Sequence, residues 1–275
     1  MKLNKRTDPL VSVIMNCYNG EKYLRESINS VISQTYKNWE LVFWDNNSND
    51  GSKKILLNFK DKRIKYFHSK NLLNLYHARN LAIKKSKGKY ISFLDTDDTW
   101  SKNKLKIQVS CLKKSKKKII YSNYYILDII KKSKKLFTKK KLFEGQITQE
   151  LLKNYKIGIL TVLIDKEIFK KYSFNKKYNI IGDFDLFIKL SCSFYIQCIQ
   201  KPLANYRIHT TNFSEKNRDL YIEELKHWIN KNYYFFKKKN IHIYSQKIFL
   251  FKFIIKKYIA AIKEKFGIYF KDGGP

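Results

Sequence analysis

The sequence predicts an α/β fold: a mostly parallel central sheet flanked by helices, followed by a helical C-terminal appendage. Three observations predict it. Strand-like and helix-like patterns alternate with short connections over residues 10–95. Polar side chains collect where the strands end, and from residue 215 onward the alternation gives way to helical periodicity.

LVSVIM at 10–15 is a continuous apolar run, the pattern of a strand buried on both faces. From Glu21 to Thr35, Leu24, Ile28, Val31 and Ile32 recur at helical spacing. A second strand, WELVFWD at 39–45, is followed by a polar turn from Asn46 to Gly51 and a short helix, with Asp50 placed to cap it. IKYFH at 64–68 is a third strand, Tyr76 to Lys85 a helix, Gly88 the break, and YISFLD at 90–95 a fourth strand. Strand–helix repetition of this kind builds a parallel sheet. Residues 1–214 read as one domain and 215–275 as a basic extension with helices over 215–239 and 243–270. In the last of these, Lys252, Lys256 and Lys263 share a face, while Phe249, Phe253, Ile255, Ile259 and Ile262 spread over an apolar remainder. Such a helix suits an anionic membrane surface, packing on the preceding domain, or a homo-oligomer contact.

A chain of 275 residues with 44% hydrophobic content is globular rather than disordered. Cys17, Cys111, Cys192 and Cys198 are scattered without a C-x-x-C pair, which argues against a zinc knuckle or a disulfide framework and suits a reducing cytoplasm. The net charge of +34 admits solvated lysines, an anionic membrane or nucleic acid. The charge is carried by lysine runs at 113–118, 131–135 and 139–141, whereas base and phosphate readers lean on arginine, which makes nucleic acid the least favoured partner. LVSVIM is too short for a signal segment, and lysines interrupt the apolar stretch from Lys247 to Phe270, so no spanning helix is expected. The expected location is the cytoplasm, peripheral on the cytoplasmic face of the membrane.

In an open α/β sheet the ligand sits beyond the carboxyl ends of the strands. Asn16 and Asn19 follow the first strand, Asp45 closes the second and Asp95 the fourth, so these side chains can converge on one crevice. No G-x-G-x-x-G or Walker A loop follows any strand. Asp95-Thr96-Asp97-Asp98 instead places three carboxylates within four residues, which repel one another unless a cation sits among them. Mg²⁺ and Mn²⁺ accept such oxygen ligands and can bridge them to a diphosphate. The alternative is an acidic turn whose Asp98 or Ser101 caps the next helix.

Five segments stand in one order over residues 9–214: VSVIMNCYNGEKYLRESINSVISQTY, LVFWDNNSNDGS, ARNLAIKKSKGKYISFLDTDD, IIGDFDLF and YRIHTTNFS. Together they resemble glycosyltransferase family 2, inverting enzymes with the GT-A nucleotide-diphospho-sugar fold. The resemblance implies transfer of a sugar from a nucleoside-diphosphate sugar to an acceptor hydroxyl in cell-surface polysaccharide or glycan assembly, with Mn²⁺ or Mg²⁺ as cofactor. It divides the domain into a nucleotide-binding part at about 9–100 and an acceptor part at about 101–214. Tyr18 and Asn19 then flank the nucleotide base, and Asp45 and Asn46 match a pair that holds base and ribose. Asn46 stands where the family has an aspartate, and its amide can read a uracil or thymine edge, so a UDP- or dTDP-sugar is favoured and a GDP-sugar possible.

By the same resemblance, Arg79 lies near the donor, Asp97 holds the metal, and Asp95 contacts ribose or the metal. Asp183, in Gly182-Asp183-Phe184-Asp185, is the catalytic base, with Gly182 replacing an acid common in the family; without the resemblance, a helix N-terminal aspartate is the lesser alternative. Asp185 would face away. Arg207 and His209 offer charge to the diphosphate, His209 with metal-binding capacity; a structural Tyr206–Arg207 pair at a strand end is the alternative. A glycan or lipid-linked molecule is the expected acceptor. The competing classes are a catalytically inactive nucleotide-sugar-binding relative, which would lose Asp97 or Asp183, and a basic nucleic-acid-binding protein, which would bind DNA or RNA with steep salt dependence.

Overall fold

The computed structural model describes residues 8–213 and 217–265. The first half runs β1 (Val11–Cys17), α1 (Glu21–Ile32), β2 (Trp39–Asp45), α2 (Ser52–Leu57), β3 (Ile64–His68), α3 (Leu75–Lys85) and β4 (Tyr90–Phe93), close to the expected bounds. The second half runs β5 (Thr99–Trp100), α4 (Lys104–Ser115), β6 (Ile119–Asp128), β7 (Ser133–Leu136), α5 (Thr148–Lys153), β8 (Leu163–Asp165), α6 (Gly182–Ser191) and β9 (Ile196–Ile208). Two long helices follow, α7 (Arg218–Lys238) and α8 (Tyr244–Lys265); the remainder of the expected last helix, 266–270, lies outside the described residues.

One sheet collects every strand in the order β3-β2-β1-β4-β8-β6-β9-β5, with β7 paired to β6. The parallel expectation holds from β3 to β4, where helices make the crossovers. Beyond β4 the sheet is mixed: β8 pairs antiparallel with both β4 and β6, and β6 pairs parallel with β9. The difference has a physical cause. β5, β7 and β8 are only two to four residues long, too short to leave a period-2 signal in the sequence. The lysine run at 131–135 turns out to make the turn and start of β7, an exposed strand whose charges discourage pairing with other chains.

Alternation along β1 sorts the core into two layers. Val13 and Met15 face one side with Leu24 and Ile28 of α1 and Leu41 of β2. Ile14 faces the other with Val42, Phe93, Ala78 of α3 and Leu186 of α6. Helix α7 joins that second layer: Trp228 and Phe236 are fully buried in it. Among the described residues no helix is long and apolar enough to cross a membrane.

The turn between α3 and β4 brings backbone against backbone. Gly88 N donates to Ser12 Oγ at 2.7 Å, and Ser12 Oγ donates to Glu40 Oε1 at 2.6 Å, tying the first strands to this turn. A Cβ on Gly88 would stand 2.5 Å from Ser12 N and 2.9 Å from Leu10 O, atoms that cannot rotate away. Gly88→Ala is therefore expected to lower stability by about 2–3 kcal/mol, read from the midpoint of urea unfolding; an unchanged midpoint would show that the turn can shift.

Candidate active site

A cavity of about 890 Å³ opens beyond the carboxyl ends of β1, β2 and β4. Its walls include Asn16, Tyr18, Asn46, Arg79, the 95–98 turn and Asp183, so residues far apart in sequence meet around one space. Asn19, Asp45, Arg207 and His209 are not among the lining residues.

The loop after β1 is locked to the loop after β2. Gly20 N donates to Ser52 Oγ at 3.0 Å, Asn49 N to Asn19 Oδ1 at 2.9 Å, and Asn19 N to Ser48 Oγ at 3.1 Å. Asp50 accepts from Glu21 N and Ser52 N, both at 3.0 Å, and so caps the starts of α1 and α2 together. Asn19 adopts φ 51°, a left-handed conformation that asparagine tolerates. Its side chain thus builds the loop, while the neighbouring Tyr18 ring is half exposed at the cavity.

Asp45 is buried, accepting from Ser48 N at 2.8 Å and from the Tyr66 hydroxyl at 2.9 Å. Burial, then this carboxylate, pushes the Tyr66 phenol up to about 12. Asn46 lines the cavity, but its amide is engaged: Nδ2 donates to Leu73 O at 2.8 Å and Oδ1 accepts from Leu73 N at 3.2 Å. The edge that the sequence offered to a base holds the 71–74 loop instead. Asn16 was expected at the crevice only as a strand-end residue, with no role of its own. It is buried in the cavity wall, and neither amide atom has a partner among the described residues. A buried amide left unmatched costs about 1–3 kcal/mol, a cost that a bound ligand or water can relieve.

The acidic turn is held by α3 on one side and by β9 and the residue that follows it on the other. Arg79 of α3, 2% exposed, reaches Asp95 Oδ1 at 2.7 Å, its guanidinium lodged near the rings of Tyr76, Phe93 and Phe174. A surface role for Arg79 is excluded. Asp97 Oδ2 lies 2.9 Å from His209 Nε2, and Asp98 Oδ1 accepts from Arg207 N at 2.9 Å. Burial first, then the neighbouring carboxylates, raises both Asp97 and Asp98 above the ordinary range. Asp98 caps no helix: α4 begins after Asn103 without a side-chain cap. The Arg207 guanidinium is spent within the protein, on Asp97 O at 2.8 Å and Glu26 Oε2 at 2.6 Å, stacked on the Tyr23 ring.

Among the described residues no cluster of three or more His, Cys, Asp or Glu forms a preassembled metal cage. Mg²⁺ and Mn²⁺ in nucleotide sites rarely need one, because one or two protein ligands suffice when phosphates supply the rest. Asp97 offers such an ion a carboxylate, with Asp95 two residues away and the His209 ring hydrogen-bonded to Asp97 Oδ2 at 2.9 Å. The two carboxylates are donors of the kind that such an ion takes.

Asp183 occupies the first turn of α6, where the helix dipole favours an anion, yet burial raises its carboxyl above the ordinary range against the pull of Phe184 N–H and Arg79. Oδ1 accepts from Phe184 N at 2.8 Å and from the Tyr76 hydroxyl at 3.2 Å. Gly182 is explained by that same tyrosine: a Cβ there would stand 2.4 Å from the Tyr76 ring. Asp185 does face away, buried and paired with Lys189 at 2.6 Å and Trp228 Nε1 at 2.9 Å. Glu224 of α7 completes the support. Its carboxylate accepts from the backbone N–H of Asn179, Ile180 and Ile181 at 2.6, 3.0 and 3.0 Å, the three residues that lead into α6. Nothing in the sequence marked Glu224. Tyr76 was legible in principle, lying one helical turn from Arg79 on the same face of α3.

The sequence profile described as glycosyl transferase family 2 matches residues 12–181. A relative from Escherichia coli, UDP-Glc:alpha-D-GlcNAc-diphosphoundecaprenol beta-1,3-glucosyltransferase WfgD, is 35% identical over 219 residues, covering 77% of this chain and 84% of that protein. The chain belongs to glycosyltransferase family 2. An uncharacterized glycosyltransferase of Methanocaldococcus jannaschii, MJ1057, is 30% identical and covers 92% of both chains. The chain spans about a third of the length of relatives from Rickettsia bellii and Rickettsia conorii. The crystal structure of S. aureus TarS 1-349 with UDP superposes with a TM-score of 0.59 at 20% identity, covering 78% of this chain and 65% of that one. The mannosyltransferase PcManGT from Pyrobaculum calidifontis, with GDP-Man and Mn²⁺, gives 0.59 at 14% identity, covering 82% and 63%. These structures confirm the GT-A-like fold with its mixed sheet.

Two outcomes are expected of the residues around Asp183. Glu224→Gln places an amide N–H against backbone N–H groups and should cost about 2–3 kcal/mol of stability; a Tm equal to wild type would mean the 179–181 backbone has other acceptors. The raised Asp183 carboxyl gives stability that is complete below its unfolded value of about 3.9 and is lost as pH rises through the native value. Asp183→Asn removes that loss, so its Tm should exceed wild type at pH 7 and the gap should close towards pH 4. A lower Tm for the variant at pH 7 would contradict the burial assignment.

Proposed function

We propose that the protein transfers a hexosyl group from a UDP-sugar to a hydroxyl of a lipid-linked sugar, with inversion at the anomeric carbon, in assembly of a cell-surface polysaccharide. The observation that carries this reading is that Asp97 and Asp183, on the β4–β5 turn and on α6, line one cavity. A leaving-group site and a base thus face a common space. The lipid-linked acceptor and the uridine nucleotide rest on the similarity to WfgD, whose name states both.

Asp97 and His209 are the residues that would hold Mn²⁺ or Mg²⁺, with Asp95 oriented by Arg79 towards the ribose or a metal-bound water. The ion would supply positive charge to the diphosphate as it departs. Tyr18 is placed to cover the base, and Asp45 acts through its loop, since Ser48 and Tyr66 take its oxygens. Asp183 accepts the acceptor's hydroxyl proton while that oxygen bonds to the anomeric carbon from the face opposite the leaving group. The C–O bond to the diphosphate breaks and its electron pair leaves with UDP. The raised Asp183 carboxyl makes it a stronger base than an exposed aspartate.

The acceptor's lipid places the reaction at a membrane, and α8 suits one. Tyr244, Ile248, Phe251, Ile255 and Tyr258 recur at four- and three-residue intervals and are all exposed. Exposed Lys247 and Lys252 and the overall +34 charge favour an anionic leaflet.

Transfer from UDP-glucose to N-acetylglucosaminyl diphosphate bearing an alkyl chain tests the reading. Asp183→Asn should lower kcat by at least about a thousandfold with donor affinity intact. Asp97→Asn should abolish the Mn²⁺-dependent part of UDP binding seen by calorimetry. Transfer at near wild-type rate by the Asp183 variant would remove the base assignment, and UDP binding indifferent to Mn²⁺ in wild type would remove the metal.

A further inference from the structure

A second cavity, of about 470 Å³, adjoins the first; the two share Tyr155, Ile180 and Asp183 in their walls. Asp183 therefore faces two spaces. The first holds the acidic turn that a metal–diphosphate needs. The second has none of that turn among its lining residues, and its cation, Lys153, is exposed. It is not built for a second nucleotide. Its walls are mainly apolar, from Leu151 and Leu152 of α5, Phe184 of α6, Tyr221 and Leu225 of α7 and Phe249 of α8.

Two polar atoms in this apolar lining are buried without a partner among the described residues: the Tyr155 hydroxyl and Gln246 Oε1. Gln246 is 7% exposed, and its Nε2 already donates to the Leu152 carbonyl, which fixes the side chain and leaves Oε1 as an acceptor. An apolar cavity with a few convergent polar groups is the usual form of a small-molecule site. A hydroxylated ligand would satisfy both atoms.

We propose that this second cavity is the acceptor subsite, holding the sugar of a lipid-linked sugar diphosphate while the attacking hydroxyl reaches Asp183 and the diphosphate and lipid stay outside. The inference rests on Asp183 being the base, since only the acceptor must touch that carboxylate opposite the donor. The apolar walls fit the carbon face of a sugar ring, the phenol of Tyr155 and Gln246 Oε1 meet its hydroxyls, and exposed Lys153 offers charge to the diphosphate at the mouth. Phe249 is a wall residue and is also 46% exposed, so one wall of the cavity reaches the surface beside the apolar stripe of α8. The lipid has a path along that helix to the bilayer. The C-terminal helices in this arrangement choose the acceptor.

The test is acceptor kinetics with two probes, N-acetylglucosaminyl diphosphate carrying a decyl chain and the same compound carrying a methyl group. UDP-glucose is the donor, and UDP–Mn²⁺ affinity is measured on each protein by calorimetry. Ser245, half-buried in the cavity wall on α8, is replaced by tryptophan to fill the space (Ser245→Trp), and Tyr155→Phe removes a single oxygen. Wild type should prefer the decyl probe by at least tenfold in kcat/KM. Ser245→Trp should raise KM for both probes by tenfold or more, with UDP affinity within twofold of wild type. Tyr155→Phe, which should fold even where the tryptophan variant does not, should lower kcat/KM for both probes by about fivefold through KM. Equal use of the probes by wild type, or unchanged acceptor KM in variants that bind UDP normally, would overturn the subsite. Loss of the base assignment reads differently: Asp183→Asn would then stay active whatever the acceptor variants do.

Discussion

Three carboxylates inside four residues repel one another, and the protein meets that constraint by drawing a different partner to each. Asp95 takes Arg79 from α3, Asp97 takes His209 from beyond β9, and Asp98 takes the Arg207 backbone N–H. At 4 Å two like charges cost about 4 kcal/mol at an effective dielectric of 20, so an uncompensated trio would not stay assembled in a half-buried turn. The partners are recruited from elements more than a hundred residues apart for Asp97 and Asp98. The fold and the site are thus one arrangement: β9 must pair with β5 and β6 to bring Arg207 and His209 to the turn that β4 presents. Arg207 shows how complete the dependence is. Its guanidinium, which the sequence offered to a phosphate, closes on Glu26 and the Asp97 carbonyl, so it shapes the turn from behind.

The C-terminal helices extend the same logic to Asp183, the proposed base. Burying the Glu224 carboxylate costs several kcal/mol, and three charge-assisted N–H bonds of about 1.5–3 kcal/mol each roughly offset it. The net stabilisation is small; the gain is geometry. The backbone of 179–181 is fixed from one side by Glu224 and from the other by the Tyr76 hydroxyl on Ile180 O at 2.8 Å, immediately before Asp183. Trp228 meanwhile holds Asp185 away from the cavity. A helix outside the matched family segment therefore orients the Asp183 carboxylate, the proposed base, and supplies part of a neighbouring cavity.

Much of this was legible in the sequence, for identifiable reasons. Continuous apolar runs gave β1 and β2, helical spacing gave α1, and the polar strand ends marked where the cavity lies. Asp97, Asp183 and Tyr18 were found because they stand in ordered motifs, and all three line the cavity. What stayed hidden depends on contacts between distant segments. No period betrays β5 or β8, and no motif tells that Asn46 pairs with Leu73 or that Asn16 lacks a partner. Asn19 and Asp45 were read as ligand contacts at the right strand ends, but whether a polar side chain faces a ligand or its own loop is decided by backbone N–H groups that sequence does not place.

The proposed function turns on a metal beside the leaving group, and the Asp97–His209 pair is where that proposal is most exposed to test. Electron spin-echo spectroscopy of the protein with Mn²⁺ and UDP tests it most directly, because an imidazole bound to Mn²⁺ modulates the echo through its nitrogen. A nitrogen coupling in wild type that disappears in His209→Ala, with phosphorus coupling from UDP present in both, is the predicted result. A Mn²⁺–UDP complex without nitrogen coupling in wild type, or one unchanged by the substitution, would contradict it.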